Sequence, residues 1–358
     1  MRQRVLILTA SAGAGHNMAA RAILEECQVL GIEARVEDLM DLVHPAFRRW
    51  FQGGYEIMVR KYPGFWGHLY RVSDRKLWCY WYQSCLDYVF CGVLRPILDE
   101  YQPSWVICTH SLPQPRLVTL RKTRDFQVAI VVTDLHPHLM WLRGKMDRYF
   151  VPAESTKEAL AVRMPHSIGC TMVTGIPVNP VFSSQTSCPE PRTALIAAGG
   201  IGGGPLAEAT QAAVDAGYSC RVVTGGNDSL RAELARLFQG NPNVEVVGKL
   251  TPAAMAETMA KSALMISKSG GITTFECFAL GCPLIVYKPL MIPGQEELNA
   301  DWIAESGAGC LVDGPAELTS VLKHLASDPN LIEGMRVQAR NLGRPEASRV
   351  ILSNLGLV

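Results

Sequence analysis

The 358-residue sequence has no Cys-x-x-Cys pair and no cysteines at the spacing of a zinc site, although it carries 11 of them, an odd count. A disulfide framework and a structural zinc site are both excluded on that pattern. Cys27, Cys108, Cys220 and Cys277 fall inside apolar runs, where a reduced thiol packs as a small hydrophobe, so a reducing compartment is expected. Long hydrophobic runs are also lacking. The longest, such as residues 5–8 and 194–198, are far short of the ~18 residues that span a bilayer, and the start does not read as a secretory signal. Net charge is only +1, with a pI near 7.6, so no global field points to nucleic acid and none is expected as a partner. No Asp-x-Asp pair occurs anywhere, so a metal-clamped diphosphate is not expected and no metal ligand is assigned.

What is present is a globular balance, 48% hydrophobic and 19% charged, in a length that favours two domains. Residues 4–9 form a β-branched and leucine run that ends in Ser-Ala-Gly-Ala-Gly-His, and residues 18–30 then carry apolar side chains at helical spacing before Gly31. Residues 33–37, 105–109 and 128–132 continue as short apolar strands of a parallel sheet. Residues 193–198 repeat the opening, with a strand, the loop Gly199-Gly200-Ile201-Gly202-Gly203-Gly204 and a helix over 205–217. Strands follow at 220–224, 244–247, 264–267 and 284–287, with helices at 229–238 and 252–261. The fold class expected is therefore α/β, two Rossmann-like doubly wound domains facing across a cleft. Residues 1–182 are expected to form the first domain, 183–192 a linker rich in Ser, Pro and Thr, and 193–340 the second domain. Residues 341–358 form a helix packing back on the first domain.

A glycine loop between strand and helix lets the backbone approach a phosphate and aims N–H groups at it. Gly13 and Gly15 fit that role or a plain tight turn, and Glu37 or Asp38 lies near the offset where a dinucleotide-binding fold places a ribose carboxylate, so an NAD dehydrogenase is a rival. The first loop, however, ends in His16. An imidazole at a helix start is held neutral and can take a proton from an attacking hydroxyl, which suits group transfer. Capping of the helix by His16 is the plainer alternative. Asp134, just past residues 128–132, is placed to orient that histidine or contact an acceptor. His136, His138 and Trp141 share its loop, and for His138 a solvated position is preferred.

The densest signal is Ser267-Lys-Ser-Gly-Gly-Ile-Thr-Thr-Phe-Glu276 followed by Pro293-Gly-Gln-Glu-Glu-Leu-Asn-Ala300. The stretch from Gly270 to Thr274 offers N–H and hydroxyl donors to a diphosphate, Glu276 can accept two ribose hydroxyls, and Gln295, Glu296 and Asn299 are the groups that read a sugar. Lys268 and backbone dipoles are left to stabilise the leaving group. From Phe47 to Phe90, fourteen of the chain's 27 aromatics alternate with Arg48, Arg49, Arg60, Lys61, Arg71, Arg75 and Lys76, the make-up of a surface on anionic lipid or of an aromatic helical core.

These motifs together resemble the monogalactosyldiacylglycerol synthase and processive diacylglycerol glucosyltransferase family. They are SAGAGH with Ala19-Ala20, VVTDLHPHLMW at 131–141, VTGIPV at 173–178, GGIGGG at 199–204, VTGGN at 223–227, SKSGGITTFE at 267–276 and PGQEELNA at 293–300. The resemblance implies a GT-B fold and a UDP-sugar as co-substrate with no other cofactor. It further implies inversion at the anomeric carbon and a diacylglycerol or glycolipid acceptor; with the reduced cysteines and the lack of a spanning run, work on the cytoplasmic, inner face of a membrane is expected. By position, His16 resembles the catalytic base, Glu276 the ribose carboxylate, Gln295 and Glu296 the sugar readers, and Thr273 with Gly270-Gly271 the phosphate loop. The 246–250 segment, with Lys249 and Leu250, resembles the loop beside uracil, and Trp141 a residue at the acceptor side; Gly15, Gly200 and Gly225 are expected to line the donor, and Arg48, Arg49 and Trp66, in the basic and aromatic stretch, to meet the membrane. The plant-type Gly-Pro-Gly is Gly270-Gly271-Ile272 here, and Leu290-Met291-Ile292 lengthens the approach to Pro293, which leaves the hexose and the number of transfers open. Transfer of N-acetylglucosamine to a lipid-linked muramyl-pentapeptide, a nucleotide-sugar epimerase and a non-catalytic sensor remain as alternatives, and the oligomeric state is unread.

Overall fold

The computed structural model describes residues 3–11, 13–75, 92–200 and 203–358. They form two compact units, Met1–Pro180 with Glu346–Val358, and Val181–Pro345.

The first unit is built on a parallel sheet of six strands. These are β1 (Arg4–Thr9), β2 (Glu33–Asp38), β3 (Trp105–Cys108), β4 (Gln127–Val131), β5 (Arg148–Val151) and β6 (Thr171–Val173), in the order β2-β1-β3-β4-β5-β6. Both faces of its centre are covered, which is why β1, β3 and β4 read as unbroken apolar runs. Val5 and Ile7 pack with Ala20, Ile23 and Cys27 of the helix α1 (Ala14–Val29), while Leu6 and Leu8 pack on the opposite side with Leu94, Leu98 and Leu117. Two further helices follow β2, α2 (Pro45–Lys61) and α3 (Pro63–Ser73).

The second unit repeats the scheme with β7 (Thr193–Ala197), β8 (Ser219–Val223), β9 (Val244–Val247), β10 (Leu264–Ser267), β11 (Leu284–Tyr287) and β12 (Gly309–Val312), in the order β12-β11-β10-β7-β8-β9. Its helices include α4 (Leu206–Asp215), α5 (Gly271–Ala279) and α6 (Glu297–Glu305). The last helix, α7 (Ala347–Asn354), belongs to the first unit. Its Ile351 and Leu352, with Leu355, join the cluster on α1, and Arg349 pairs with Glu26 at 2.8 Å.

In each sheet the chain winds one way from its first strand and then the other. The reversals fall between β1 and β3 and between β7 and β10, and the crevice at such a switch point is where open α/β sheets bind ligands. No helix among the described residues is long and apolar enough to cross a membrane. The helix expected over 18–30 begins earlier, at Ala14, so Gly15 and His16 lie in its first turn rather than in a loop before it.

Candidate functional site

At the switch point of the first unit, the loop after β1 is fixed by a carboxylate. Asp38 accepts from the Ser11 N–H at 3.0 Å, the Asn17 Nδ2 at 3.1 Å, the Met40 N–H at 2.9 Å and the Ser11 hydroxyl. Burial pushes the Asp38 carboxyl up, but these donors outweigh it and hold it below its ordinary value. Glu37 pairs with Arg35. Each of the two carboxylates that could have taken a dinucleotide ribose is therefore engaged within the fold.

His16 is held from both sides by Thr109. Its Nδ1 lies 3.0 Å from the Thr109 carbonyl, which can only accept, while the Thr109 hydroxyl donates to the His16 carbonyl at 3.0 Å. The Thr133 hydroxyl oxygen is 2.8 Å from the same Nδ1. The proton is thus on Nδ1, and Nε2 keeps its lone pair. Burial lowers the pKa of His16 below its ordinary value, against the charge of Asp134 and the Thr109 bond, which raise it. A neutral imidazole whose Nε2 meets no hydrogen-bond partner among the described residues can act as a general base. Burial, rather than the helix start, is the cause that keeps it neutral.

Asp134 acts on His16 through charge, whereas its hydrogen bond is to Trp141, whose Nε1 donates to Oδ2 at 3.0 Å. The buried Trp141 ring lies 6.0 Å from that of His16. His138, expected in solvent, is fully buried. Its Nδ1 accepts from the Met140 N–H at 3.1 Å and its Nε2 donates to the Tyr70 carbonyl at 3.2 Å, so it pins the 134–141 loop to the end of α3. Asp74 completes that join, accepting from the Leu139 N–H at 2.8 Å and from Arg163 at 2.7 Å. His110, which the sequence reading passed over, packs edge-on against His16 with ring centroids 4.5 Å apart. The signal was available, because it stands two residues past the end of β3, at a switch-point strand end.

In the second unit, three loops converge beyond β7, β8 and β10. Gly225 has φ +60°, and a Cβ there would meet the Gly200 carbonyl at 2.7 Å, so the two chains cross at a distance only glycine allows. A Cβ on Gly199, also at positive φ, would meet the Lys268 side chain at 3.1 Å. Gly270 caps α5 with no side-chain cap hydrogen bond among the described residues, and Gly271 and the half-buried Thr273 lie in the first turn. The N–H groups of that turn and the positive helix end favour an anion. One turn further on, Glu276 is 4% exposed, and its Oε1 has no hydrogen-bond partner among the described residues. Burial pushes its carboxyl up to about 8.

Glu296 is different. Its carboxylate pairs with Lys268 and accepts from the Ile292 N–H at 2.8 Å, while its carbonyl accepts from the Ser269 hydroxyl at 2.7 Å. The Asn299 Nδ2 donates to the Ser269 carbonyl at 2.9 Å. These residues lace the loop after β11 to the loop after β10, and Gln295 stands half-buried beside them. Lys249 is exposed and Leu250 half-buried in the loop after β9.

Residues 16–178 match the family model for monogalactosyldiacylglycerol (MGDG) synthase, and residues 207–346 match that for the glycosyltransferase family 28 C-terminal domain. The chain is 28% identical to a processive diacylglycerol beta-glucosyltransferase of Bacillus subtilis (strain 168), over 99% of this chain and 94% of that protein. It is similar to MGDG synthases in its first part and to family 28 glycosyltransferases in its second.

The fold of this glycosyltransferase is GT-B. It is similar to CalG4, the calicheamicin glycosyltransferase (TM-score 0.64, 16% identity, 99% of each chain), and to UDP-GlcNAc 2-epimerase from Neisseria meningitidis bound to UDP-GlcNAc (TM-score 0.63, 16% identity, 99% of each chain). Such low identity speaks for the fold alone. The acceptor-side expectations of the glycosyltransferase fall on α2 and α3. Arg48 pairs with Asp41, Arg49 is exposed, and Trp66 is half-buried against Tyr55 with ring centroids 5.1 Å apart. Trp50, 71% exposed, lies on the same helix as Ile57, and Tyr62 and Phe65 follow, also exposed. The remainder of the aromatic patch, with Lys76, Trp78, Tyr80, Trp81, Tyr82, Tyr88 and Phe90, lies outside the described residues, as do Ile201 and Gly202 of the second glycine loop.

Proposed function

We propose that this glycosyltransferase moves a hexose from a UDP-sugar to the hydroxyl of diacylglycerol or a glycolipid, with inversion and without a metal, at an anionic membrane surface on the cytoplasmic side. The observation that carries the reading is His16, an imidazole whose Nδ1 is tied to a carbonyl and whose Nε2 is left as a base at a switch point. In this reading Nε2 takes the acceptor proton as the acceptor oxygen bonds to the anomeric carbon, and the bond to UDP breaks with its electron pair leaving on the phosphate. One displacement inverts the carbon. Asp134, bonded to Trp141, steadies the imidazolium that forms, which a nearby negative charge favours.

The donor rests on the second unit. The uncapped start of α5 and Lys268 meet the diphosphate charge, the part a metal plays elsewhere, and the Oε1 of Glu276 accepts ribose hydroxyls. Membrane docking rests on α2 and α3. Trp50 and Ile57 lie seven residues apart on one helical face, Lys61 follows one turn on, and the exposed Arg49, Arg71 and Arg75 add positive charge. A UDP-sugar donor, a lipid acceptor and an anionic surface are thus the partners proposed.

The test is incubation of the protein with UDP-glucose or UDP-galactose and diacylglycerol vesicles. UDP release with a glycolipid product supports the reading. An altered sugar nucleotide in the absence of lipid makes the protein an epimerase, and binding without turnover makes it a sensor.

A further inference from the structure

Two histidines meet at the first switch point, and they are in opposite tautomers. In His16 the Thr109 carbonyl fixes the proton on Nδ1. In His110 the Leu112 N–H donates to Nδ1 at 3.1 Å, so Nδ1 is bare and the neutral ring carries its proton on Nε2. The rings are 70° apart in plane with centroids 4.5 Å apart, and no hydrogen bond joins them. One ring thus offers an Nε2 lone pair and its neighbour an Nε2–H, close enough for one oxygen to lie within reach of both. Trp141 closes the same patch, with its ring 6.4 Å from that of His110.

We propose that His110 is an acceptor-positioning residue, whose Nε2–H donates to a lone pair of the acceptor oxygen and so turns that hydroxyl's proton toward Nε2 of His16. This inference rests on the transfer reading above. The proton of His110 does not move in the reaction; only the acceptor proton does, to His16. Burial, together with the charge His16 would carry, holds His110 well below its ordinary pKa, so it remains a neutral donor as His16 becomes charged. Four residues on, the helix Gln114–Leu120 opens on Gln114, fully buried, with neither amide atom bonded among the described residues, which marks this stretch as one whose polar groups are not all spent on the fold.

The experiment is steady-state kinetics on diacylglycerol vesicles with the UDP-sugar saturating, alongside calorimetric UDP binding and a thermal melt. Glutamine places an N–H near the site of Nε2, and asparagine instead mimics Nδ1. His110→Phe and His110→Asn are therefore expected to lower kcat/KM for the lipid by about 10- to 100-fold, the loss of one or two hydrogen bonds' worth, with the UDP dissociation constant unchanged. His110→Gln is expected to stay within about threefold of the native enzyme. If His110→Phe fails to fold, the contrast between Gln and Asn decides. Equal loss in Gln and Asn, native kinetics in Asn, or weakened UDP binding overturns the assignment while the transfer reading stands. A native protein that turns over no donor with any lipid overturns the transfer reading and this inference with it.

Discussion

Replacing Glu276 tests the donor site and its proton chemistry together. The carboxyl is buried on α5 and titrates near 8 because burial disfavours its charged form. Two ribose hydroxyls donating to it favour that charged form, so UDP binding expels the proton. UDP affinity then rises with pH as the free protein ionises. With a free-protein pKa of about 8, the apparent dissociation constant at pH 7 is about tenfold weaker than at pH 9, where most of the protein is already ionised. Glu276→Leu loses the acceptor altogether and is expected to bind UDP about 10- to 100-fold more weakly at pH 9, the equivalent of ~1.5–3 kcal/mol. Glu276→Gln cannot titrate, so its dissociation constant is expected to be flat over the same range. Calorimetry in two buffers of different ionisation enthalpy reads both the affinity and the proton released. A native protein whose UDP affinity does not change between pH 7 and pH 9, or a Gln variant that keeps the native pH dependence, refutes the reasoning.

Three other outcomes are expected. His16→Ala should lower kcat by ~10²–10⁴-fold, the usual worth of a general base, while calorimetry finds UDP affinity unchanged; lost UDP affinity would place His16 on the donor phosphates. Trp50→Ser with Phe65→Ser should reduce co-sedimentation with anionic vesicles, and native binding should fall as salt rises past a Debye length of ~10 Å; binding indifferent to both would make this face an ordinary helical surface. Lys268→Met should destabilise the fold by ~3–5 kcal/mol in denaturant melts, because it leaves the buried Glu296 carboxylate unpaired, and adding Glu296→Gln should recover most of it; a single variant as stable as the native chain would show that the pair is not a brace.

Strands were readable where the sequence holds a short apolar run bounded by polar or turn residues. Those over 4–9, 244–247, 264–267 and 284–287 match the observed elements to the residue. Three were missed, each for a local reason. β5 opens on Arg148, β6 is only three residues long, and β12 opens on Gly309. That glycine is needed because a Cβ would lie 2.1 Å from the Leu284 carbonyl, yet in the sequence it reads as a turn. The glycine loops were legible because their signal is local. The hold on His16 was not, since Thr109 and Thr133 stand 93 and 117 residues away from it in sequence.

The same limit separates the two carboxylates of the densest motif. Glu276 and Glu296 look alike in sequence, each a few residues past a glycine turn, and both were assigned to the donor. Only the fold distinguishes them, because Glu296 meets Lys268 and a backbone N–H whereas the Oε1 of Glu276 meets nothing among the described residues. The stability consequence follows from that difference. A carboxyl whose pKa rises from 4.5 to about 8 on folding gives stability fully present below pH 4.5 and lost as pH rises to about 8, up to about 5 kcal/mol for that shift. Ile272, Phe275 and Phe278 are buried along the same helix, so an apolar residue at 276 would suit the packing better. The unliganded Glu276→Gln protein should accordingly be more stable than the native chain at pH 8–9 and nearly equal to it near pH 5, in matched denaturant melts. If the two proteins instead melt alike at pH 9, Glu276 is not a charge held at the fold's expense, and its claim on the ribose loses its physical basis.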